Sequence, residues 1–184
     1  MSTTQIDLVN VRLSFPNLFT PRPPEKPGDK PRYDALFILE KGSKNDEQVR
    51  AAIQEVVQSK WDGKIVPEAL AKMGYHDGIK KSQYDGFDEN VMYISASSQV
   101  RPSIVDRNGS PLVQEDGKLY PGVRVVAYLN VTAMDTKGYG KQCNFYIRGV
   151  QFYKDDEALG AGKPMDISEF KTFDDEVEDE AMFG

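Results

Sequence analysis

Apolar and polar residues alternate along several short stretches of this chain, which is the pattern of strands with one buried face. In residues 6–15 the apolar positions of this alternation are Val9, Val11, Leu13 and Phe15. The stretch is predicted to form a strand that Pro16 ends, with Phe15 pointing into the core. Four further strands are predicted over 33–39, 91–98, 123–133 and 143–153.

The two long strands near the carboxyl end each have a polar face that carries a ring and a cation. On 123–133 this face includes Arg124 and Tyr128. On 143–153 strict alternation gives one face Asn144, Tyr146, Arg148, Val150 and Phe152. These two faces are the first candidates for a binding surface.

Helical spacing of apolar residues follows the second predicted strand. Ser43 offers an N-cap, and acidic residues fill the first turn of a helix over 44–60. Its apolar stripe is assigned to the core: Val49, Ala52, Ile53, Val56, Val57 and Trp61. A short helix is predicted over 67–73, a proline-rich loop over 20–32, and an irregular segment over 74–90.

The order of these elements decides the fold class. Strands and helices do not alternate regularly, which argues against a doubly wound parallel sheet. We predict a mainly β fold, a Greek-key barrel of the OB-fold type with one or two inserted helices. A β-sandwich is the rival. The barrel domain is placed at 1–170 and a disordered acidic tail at 171–184.

All of the excess negative charge lies in the last eleven residues. The tail has six carboxylates and no basic residue, and it ends near an aromatic ring: Asp174, Asp175, Glu176, Glu178, Asp179, Glu180 and Phe183. The whole chain has 23 basic and 29 acidic residues, so the body before the tail is neutral. Such a tail is either a solubilising segment or an interaction segment that mimics a single-stranded nucleic acid.

Composition excludes several classes of protein. No apolar run approaches the roughly 20 residues of a membrane span, and the first residues are not a signal peptide. The single cysteine, Cys143, cannot form an internal disulfide. This favours a reducing compartment, the cytoplasm, which would be that of the host cell if the chain is phage-encoded. One histidine, His76, has no cysteine partner at zinc-ligand spacing, so neither a metal nor another cofactor is expected.

No catalytic constellation is present in the sequence. Residues 138–141 are glycine-rich but are not followed by a helix, so they do not form a phosphate loop. A dyad of Cys143 and His76 would need an unusual fold, and the cysteine is assigned to the core. Asp85 and Asp88 leave a metal-dependent nuclease as a weak alternative.

Cations and rings are interleaved along the predicted strands and loops. Single-strand binders need both, since cations follow the phosphates while rings stack on the bases. The candidate DNA-binding residues are Arg12, Lys80, Lys81, Tyr84, Arg101, Arg124, Tyr128, Lys141, Tyr146 and Arg148.

Five short motifs add a family resemblance. They are residues 14–19, 94–102, 118–122, 138–141 and 149–152, and Tyr33 and the pairs 105–106 and 111–112 are further matches. In order and spacing they resemble a family of tailed-phage and prophage single-stranded DNA-binding proteins, formerly catalogued as a domain of unknown function. The resemblance covers about residues 8–160. It implies an OB-fold that binds single strands without sequence preference and a tail that recruits replication proteins.

The sequence therefore predicts a phage-type single-stranded DNA-binding protein without catalytic activity. It would protect single strands in DNA replication, recombination or repair, and self-association is left open. The alternative is a phage structural or adaptor protein that binds a protein partner through its acidic tail.

Overall fold

The computed structural model describes residues 2–160 and 167–173. Within them lie eight strands and one α-helix. The strands are β1 (Ser2–Arg22), β2 (Arg32–Glu40), β3 (Lys72–Met73), β4 (Tyr75–Asp77), β5 (Val91–Ser98), β6 (Ser103–Val105), β7 (Arg124–Thr136) and β8 (Gly140–Lys154). The helix, α1 (Lys44–Trp61), follows β2. Single turns of 3₁₀ helix lie at Pro67–Ala69, Gly78–Lys81, Gln114–Asp116 and Ile167–Glu169.

Five of the strands close into a barrel. β1 pairs antiparallel with β2 and β7, β2 pairs with β5, and β7 pairs with β8. A parallel contact between β5 and β8, with Ala96 opposite Phe145, completes the ring. A closed ring leaves none of these strands with an unpaired edge along its whole length. The predicted OB-fold-type barrel is confirmed, and it has one inserted α-helix.

The inward faces of the strands fill the barrel, and α1 packs against β1 and β7. Leu8, Phe37, Ile94 and Phe145 are among the fully buried core residues. The predicted helical stripe is buried from Val49 through Val57, while Trp61 packs partly exposed at the core's edge. The Asp46 N–H donates to the Ser43 hydroxyl at 3.2 Å, so the predicted N-cap is confirmed.

β1 changes register with its neighbours at three places, and the first two lie beside a non-glycine residue with positive φ. The pairing with β7 shifts next to Asn10, at φ 65°. The pairing with β2 shifts next to Phe15, at φ 46°. Each of these two shifts breaks the alternation, so Val9 and Phe15 are 49% and 48% exposed. The expectation that Phe15 points into the core is therefore wrong.

Pro16 does not end β1, contrary to the sequence prediction. It lies within the second irregularity, between Ser14 and Asn17, where the ladder is interrupted. Proline is tolerated at such bulges because no ladder hydrogen bond is needed from its nitrogen. The strand therefore continues to Arg22, and only 23–31 remain of the predicted proline-rich loop.

β8 also has an extra residue. Tyr128 lies opposite Gly149 and Leu129 opposite Ile147, so Arg148 has no partner of its own on β7. Beyond this bulge the faces exchange, and Val150 is 1% exposed. The strict alternation predicted for β8 is wrong after Arg148, because a single inserted residue turns every later side chain to the opposite face.

Two short segments differ from the sequence predictions. The helix predicted over 67–73 is one 3₁₀ turn followed by β3, which pairs parallel with β8. The segment 74–90, expected to be irregular, contains β4, paired with β5, and the 3₁₀ turn Gly78–Lys81. In both places neighbouring strands supply the pairing partners, which no local pattern encodes.

Residues 155–160, which we call the strap, follow β8 and cross the outside of the barrel. The Leu159 N–H donates to the Pro121 carbonyl at 2.9 Å, and the Leu159 side chain is 7% exposed. A Cβ on Gly122, whose φ is +106°, would lie 2.3 Å from the Glu157 carbonyl oxygen. Glycine is therefore needed where the strap passes. The acidic tail, 174–184, lies outside the described residues.

Candidate nucleic-acid interface

Four rings meet on the outside of the barrel, and we call them the aromatic platform: Phe15, Tyr84, Phe87 and Tyr93. Phe15 and Tyr84 meet edge to face with 5.1 Å between centroids, and Phe87 meets Tyr93 in the same way at 5.3 Å. Phe15 also stacks on Phe87 at 6.4 Å. Phe87 and Tyr93 are buried, whereas Phe15 and Tyr84 are nearly half exposed. Two buried rings thus support two that solvent, or a base, can reach.

Cations border the platform. The Lys81 Nζ lies 5.6 Å from the Tyr84 ring centroid and 5.8 Å from that of Tyr93. His76 packs against Tyr93 at 5.0 Å. Burial lowers the pKa of His76, and the nearby charges of Lys80 and Lys81 lower it further. The predicted group of Lys80, Lys81 and Tyr84 therefore lies beside the other rings of the platform.

A line of outward positions connects the platform to β8. Tyr93, Ser95 and Ser97 alternate on the outer face of β5, with Ala96 and Ile94 buried between them. Ser97 lies opposite Tyr146 of β8 in the parallel pairing. Tyr146 is half-buried, and its hydroxyl lies 3.5 Å from the Met134 sulfur. The rings on β5 and β8 therefore share one side of the barrel.

A second group forms where β7 and β8 run side by side. The Arg148 guanidinium lies 6.0 Å from the Tyr128 ring centroid, and its Nη2 donates to the Asp7 carboxylate at 2.9 Å. The Tyr128 hydroxyl donates to Oε1 of Gln151 at 2.6 Å. Tyr128 and Arg148 are half-buried and outside the core. The polar faces predicted for Tyr128, Tyr146 and Arg148 are thus the outer faces.

Arg12 and Arg124 are engaged by the strap. The Arg124 Nε donates to the Asp156 carboxylate at 2.8 Å, and the Arg12 Nε lies 3.8 Å from the same oxygen. Arg12 also donates to the carbonyls of Gly122 and Glu157. The pair already neutralises one carboxylate and lowers the pKa of Asp156, mainly through the Arg124 hydrogen bond. Their assignment to DNA stays a prediction.

The two remaining candidates contact residues that belong to neither group. The Arg101 guanidinium lies 5.7 Å from the centroid of the Phe19 ring. The Lys141 Nζ lies 3.6 Å from the Asp135 carboxylate, beside the β7–β8 turn. Next to it on that turn Tyr139 is 72% exposed. In OB-folds this turn and the loop between the first two strands flank the binding face.

The acids proposed for a nuclease serve the backbone. Asp88 accepts the Asn90 N–H at 2.8 Å, and Asp85 accepts the Gly160 N–H at 3.3 Å. Within 2–160 and 167–173 there is no group of three or more potential metal-ligating side chains. Burial raises the pKa of the Cys143 thiol to about 12, which opposes a role as nucleophile. No helix in the described part of the chain is long and apolar enough to cross a membrane.

A family model for the single-stranded DNA-binding protein of Enterobacter phage Enc34 matches residues 4–182. This chain belongs to that family. Putative protein p50 of Acyrthosiphon pisum secondary endosymbiont phage 1 is 35% identical over 187 residues, which cover 97% of this chain and 98% of p50. The family resemblance noted in the sequence is therefore confirmed, and the family is one of DNA-binding proteins rather than enzymes.

Solved structures of phage proteins share the fold. The bacteriophage Enc34 single-stranded DNA-binding protein in complex with single-stranded DNA superposes with a TM-score of 0.71 at 23% identity, covering 85% of this chain and 89% of that one. The single-stranded DNA-binding protein gp2.5 of bacteriophage T7 gives a TM-score of 0.60 at 9% identity, covering 89% and 98%. At these identities the likeness establishes the barrel and its connections.

Sequence reasoning left Phe15, Phe87 and Tyr93 out of the candidate residues, although all three belong to the platform. Phe15 fits the alternation of a core strand, and only its positive φ turns it outward. Tyr93 lies in a continuous apolar and small-residue strand whose outer face cannot be told from its inner face by pattern. The one available signal was Pro16, because proline within a strand is confined to edge strands, strand starts and bulges.

Proposed function

We propose that this chain binds single-stranded DNA without sequence preference, across the outer faces of β5 and β8 and over the aromatic platform. It would coat and protect single strands during phage DNA replication, recombination or repair, in the cytoplasm of the host cell. The observation that carries the proposal is the exposed pair Phe15 and Tyr84, supported by buried rings and bordered by Lys80 and Lys81.

The dimensions of this path suit a flexible strand. From Tyr93 to Ser97 along β5 is about 13 Å, the step to Tyr146 adds about 5 Å, and the next outward residue of β8 adds about 7 Å. A path of about 25 Å from the platform to Arg148 accommodates several nucleotides, within the range of about 4–16 that OB-folds cover.

The chemistry of the path favours stacking over base reading. Its rings are Phe15, Tyr84 and Tyr146, and between them the outer face of β5 has only Ser95 and Ser97. Every base has a π-face, so rings bind bases of any sequence, while Lys80 and Lys81 attract the phosphates. The chain then needs no cofactor and no catalytic group to act.

Protein partners belong to the carboxyl end of the chain in this proposal. The segment before the tail exposes three large apolar side chains at a spacing of three residues: Ile167, Phe170 and Phe173, at 87%, 60% and 57%. Six carboxylates follow in 174–184. We assign this end of the chain to the recruitment of replication or recombination proteins, and the barrel to the DNA.

Fluorescence anisotropy with labelled oligonucleotides tests the proposal. Single-stranded DNA of mixed sequence, homopolymers, duplex DNA and single-stranded RNA should be titrated with and without magnesium. We expect tight binding of every single-stranded DNA, weaker binding of duplex and no magnesium-dependent cleavage. Binding to duplex alone would contradict the proposal. No binding to any oligonucleotide while the tail captures a protein would favour the adaptor alternative.

A further inference from the structure

An open slot lies on the outer surface where β6, β8 and β7 are adjacent. It encloses about 310 Å³ and is lined by Ser103, Val105, Tyr128, Arg148, Gly149, Val150 and Gln151. Gly149 pairs with Tyr128 on one side and with Ser103 on the other. Neighbouring strands lie about 4.8 Å apart, so Tyr128 and Ser103 face each other across a glycine floor about 9.6 Å wide.

Gly149 leaves the base of the slot free of a side chain. Its φ is ordinary, so the backbone conformation does not require glycine. A Cβ there would instead lie 3.2 Å from the Ser103 carbonyl oxygen and 3.8 Å from the Tyr128 ring. Glycine inside a strand marks, among other things, a place where another group approaches the backbone closely. A width of two strand spacings admits one flat ring beside the Tyr128 ring.

The polar side chains around the slot differ in how many of their hydrogen-bonding atoms have a partner. The Gln151 amide is used, since it accepts from the Tyr128 hydroxyl and donates to the carbonyls of Asp106 and Arg107. The Arg148 Nε is buried and has no hydrogen-bond partner among the described residues. A buried donor without a partner destabilises the fold, because it has lost its hydrogen bonds to water. Among the polar side chains that line the slot, Arg148 thus retains a donor that the described residues do not use.

We propose that this slot holds one nucleobase of the bound strand, stacked on Tyr128 with a carbonyl or ring-nitrogen edge toward Arg148. The inference rests on the proposed function and adds a defined subsite to it. A nucleobase supplies both requirements, a flat ring and hydrogen-bond acceptors on its edge. The slot also lies two residues along β8 from Tyr146, so a strand that passes Tyr146 reaches it directly.

The test fills the slot from its exposed side in the full-length protein. Ser103→Phe places a ring against Tyr128, and Ser59→Phe, an exposed serine on α1, is the matched control for an added surface ring. Oligonucleotides with one 5-iodouracil at each successive position are photocrosslinked, and the attached peptides are identified by mass spectrometry. Affinities are measured in parallel by anisotropy.

We expect the wild-type protein and Ser59→Phe to crosslink at Tyr128 as well as at the platform. In Ser103→Phe the Tyr128 crosslink should disappear, the platform crosslinks should remain, and affinity should fall roughly 5- to 150-fold, the worth of one stacked base. The affinity of Tyr128→Leu should fall by a similar factor. Platform crosslinks with unchanged affinity in both variants would overturn the subsite alone. If the wild-type protein bound no oligonucleotide at all, the proposed function itself would be overturned.

Discussion

Gly160 donates its backbone N–H to the carboxylate of Asp85, with 3.3 Å between nitrogen and oxygen. Asp85 follows Tyr84 in the chain, so the strap ends beside the aromatic platform. Thirteen residues, 161–173, lie between Gly160 and the tail at 174–184, and a chain of this length spans at most about 45 Å when extended. A barrel of about 160 residues has a radius of gyration near 15 Å. The six carboxylates can therefore reach the whole proposed DNA path.

Deleting residues 174–184 should tighten DNA binding severalfold at low salt. A tethered competitor acts at a high effective concentration, and screening weakens it as salt increases. Affinities of the full-length and truncated proteins across a salt series would measure the effect. The truncated protein should also fail to recruit a replication partner, and Phe183→Ala should weaken recruitment with less effect on DNA. Equal affinities at every salt concentration would mean that the tail never visits the path.

Two substitutions of Phe15 separate the effect of its ring on DNA binding from its effect on the stability of the fold. Phe15→Ala and Phe15→Gly both remove the ring, and each should cost about 1–3 kcal/mol of DNA-binding free energy. Only glycine accepts the φ of 46° without strain, so Phe15→Gly should be more stable than Phe15→Ala by about 1 kcal/mol. Anisotropy and urea unfolding measure the two quantities. Wild-type affinity in both variants would exclude Phe15 from the interface.

Lys80 and Lys81 should determine part of the salt dependence. For single strands log affinity falls with log salt by about 0.7 per neutralised phosphate. The double variant Lys80→Gln, Lys81→Gln should therefore lower the slope by about 1.4 if both contact phosphates. The matched control is Lys44→Gln, Lys64→Gln, which removes two exposed charges, one at the first residue of α1 and one three residues beyond its end. A slope that falls equally in both variants would indicate a general charge effect.

Tyr146 tests the β8 part of the path. Tyr146→Ala should cost about 1–3 kcal/mol in affinity, whereas Tyr146→Phe, which retains the ring, should bind nearly as well as the wild type. Because the ring lies outside the core, thermal stability should change little. A large drop in melting temperature for the alanine variant, with affinity unchanged for the folded fraction, would show that the ring supports the sheet and not the DNA.

Asp46 should make the fold sensitive to acid. Its carboxylate accepts from the Tyr75 hydroxyl at 2.5 Å, the Gly42 N–H at 2.8 Å and the Arg50 Nε at 2.8 Å. Burial would raise the pKa of Asp46, but these donors outweigh it, and the pKa lies below the ordinary 3.8. A lowered pKa in the folded state adds stability above pH 3.8 that is lost as the pH falls through the folded value.

Asp46→Asn should therefore lose about 1–3 kcal/mol of unfolding free energy at pH 7 and progressively less toward pH 2. Urea unfolding at a series of pH values measures this difference. Asp29→Asn, at an exposed loop carboxylate, is the control and should parallel the wild type throughout. A constant difference between Asp46→Asn and the wild type at every pH would contradict the role assigned to the ionised carboxylate.

Local patterns predicted much of the fold. Ser43 and the stripe from Val49 to Val57 fixed the helix within one residue at its end, because capping and helical spacing depend on near neighbours in the chain. The long strands were predicted with the correct outward direction for Tyr128 and Tyr146. The alternation failed where Asn10, Phe15 and Arg148 interrupt it.

The sequence by itself determined the class of this protein: a mainly β barrel with one or two inserted helices, the first of them capped by Ser43, and an acidic end separate from a neutral body. Tertiary structure alone decided which rings meet. Phe15 and Tyr84 are 69 positions apart in the chain, and their contact depends on a bulge in β1 and on the packing of the 78–90 segment over β5. Periodicity reports on neighbours along one strand, whereas bulges and pairing across strands are settled by the closure of the barrel as a whole.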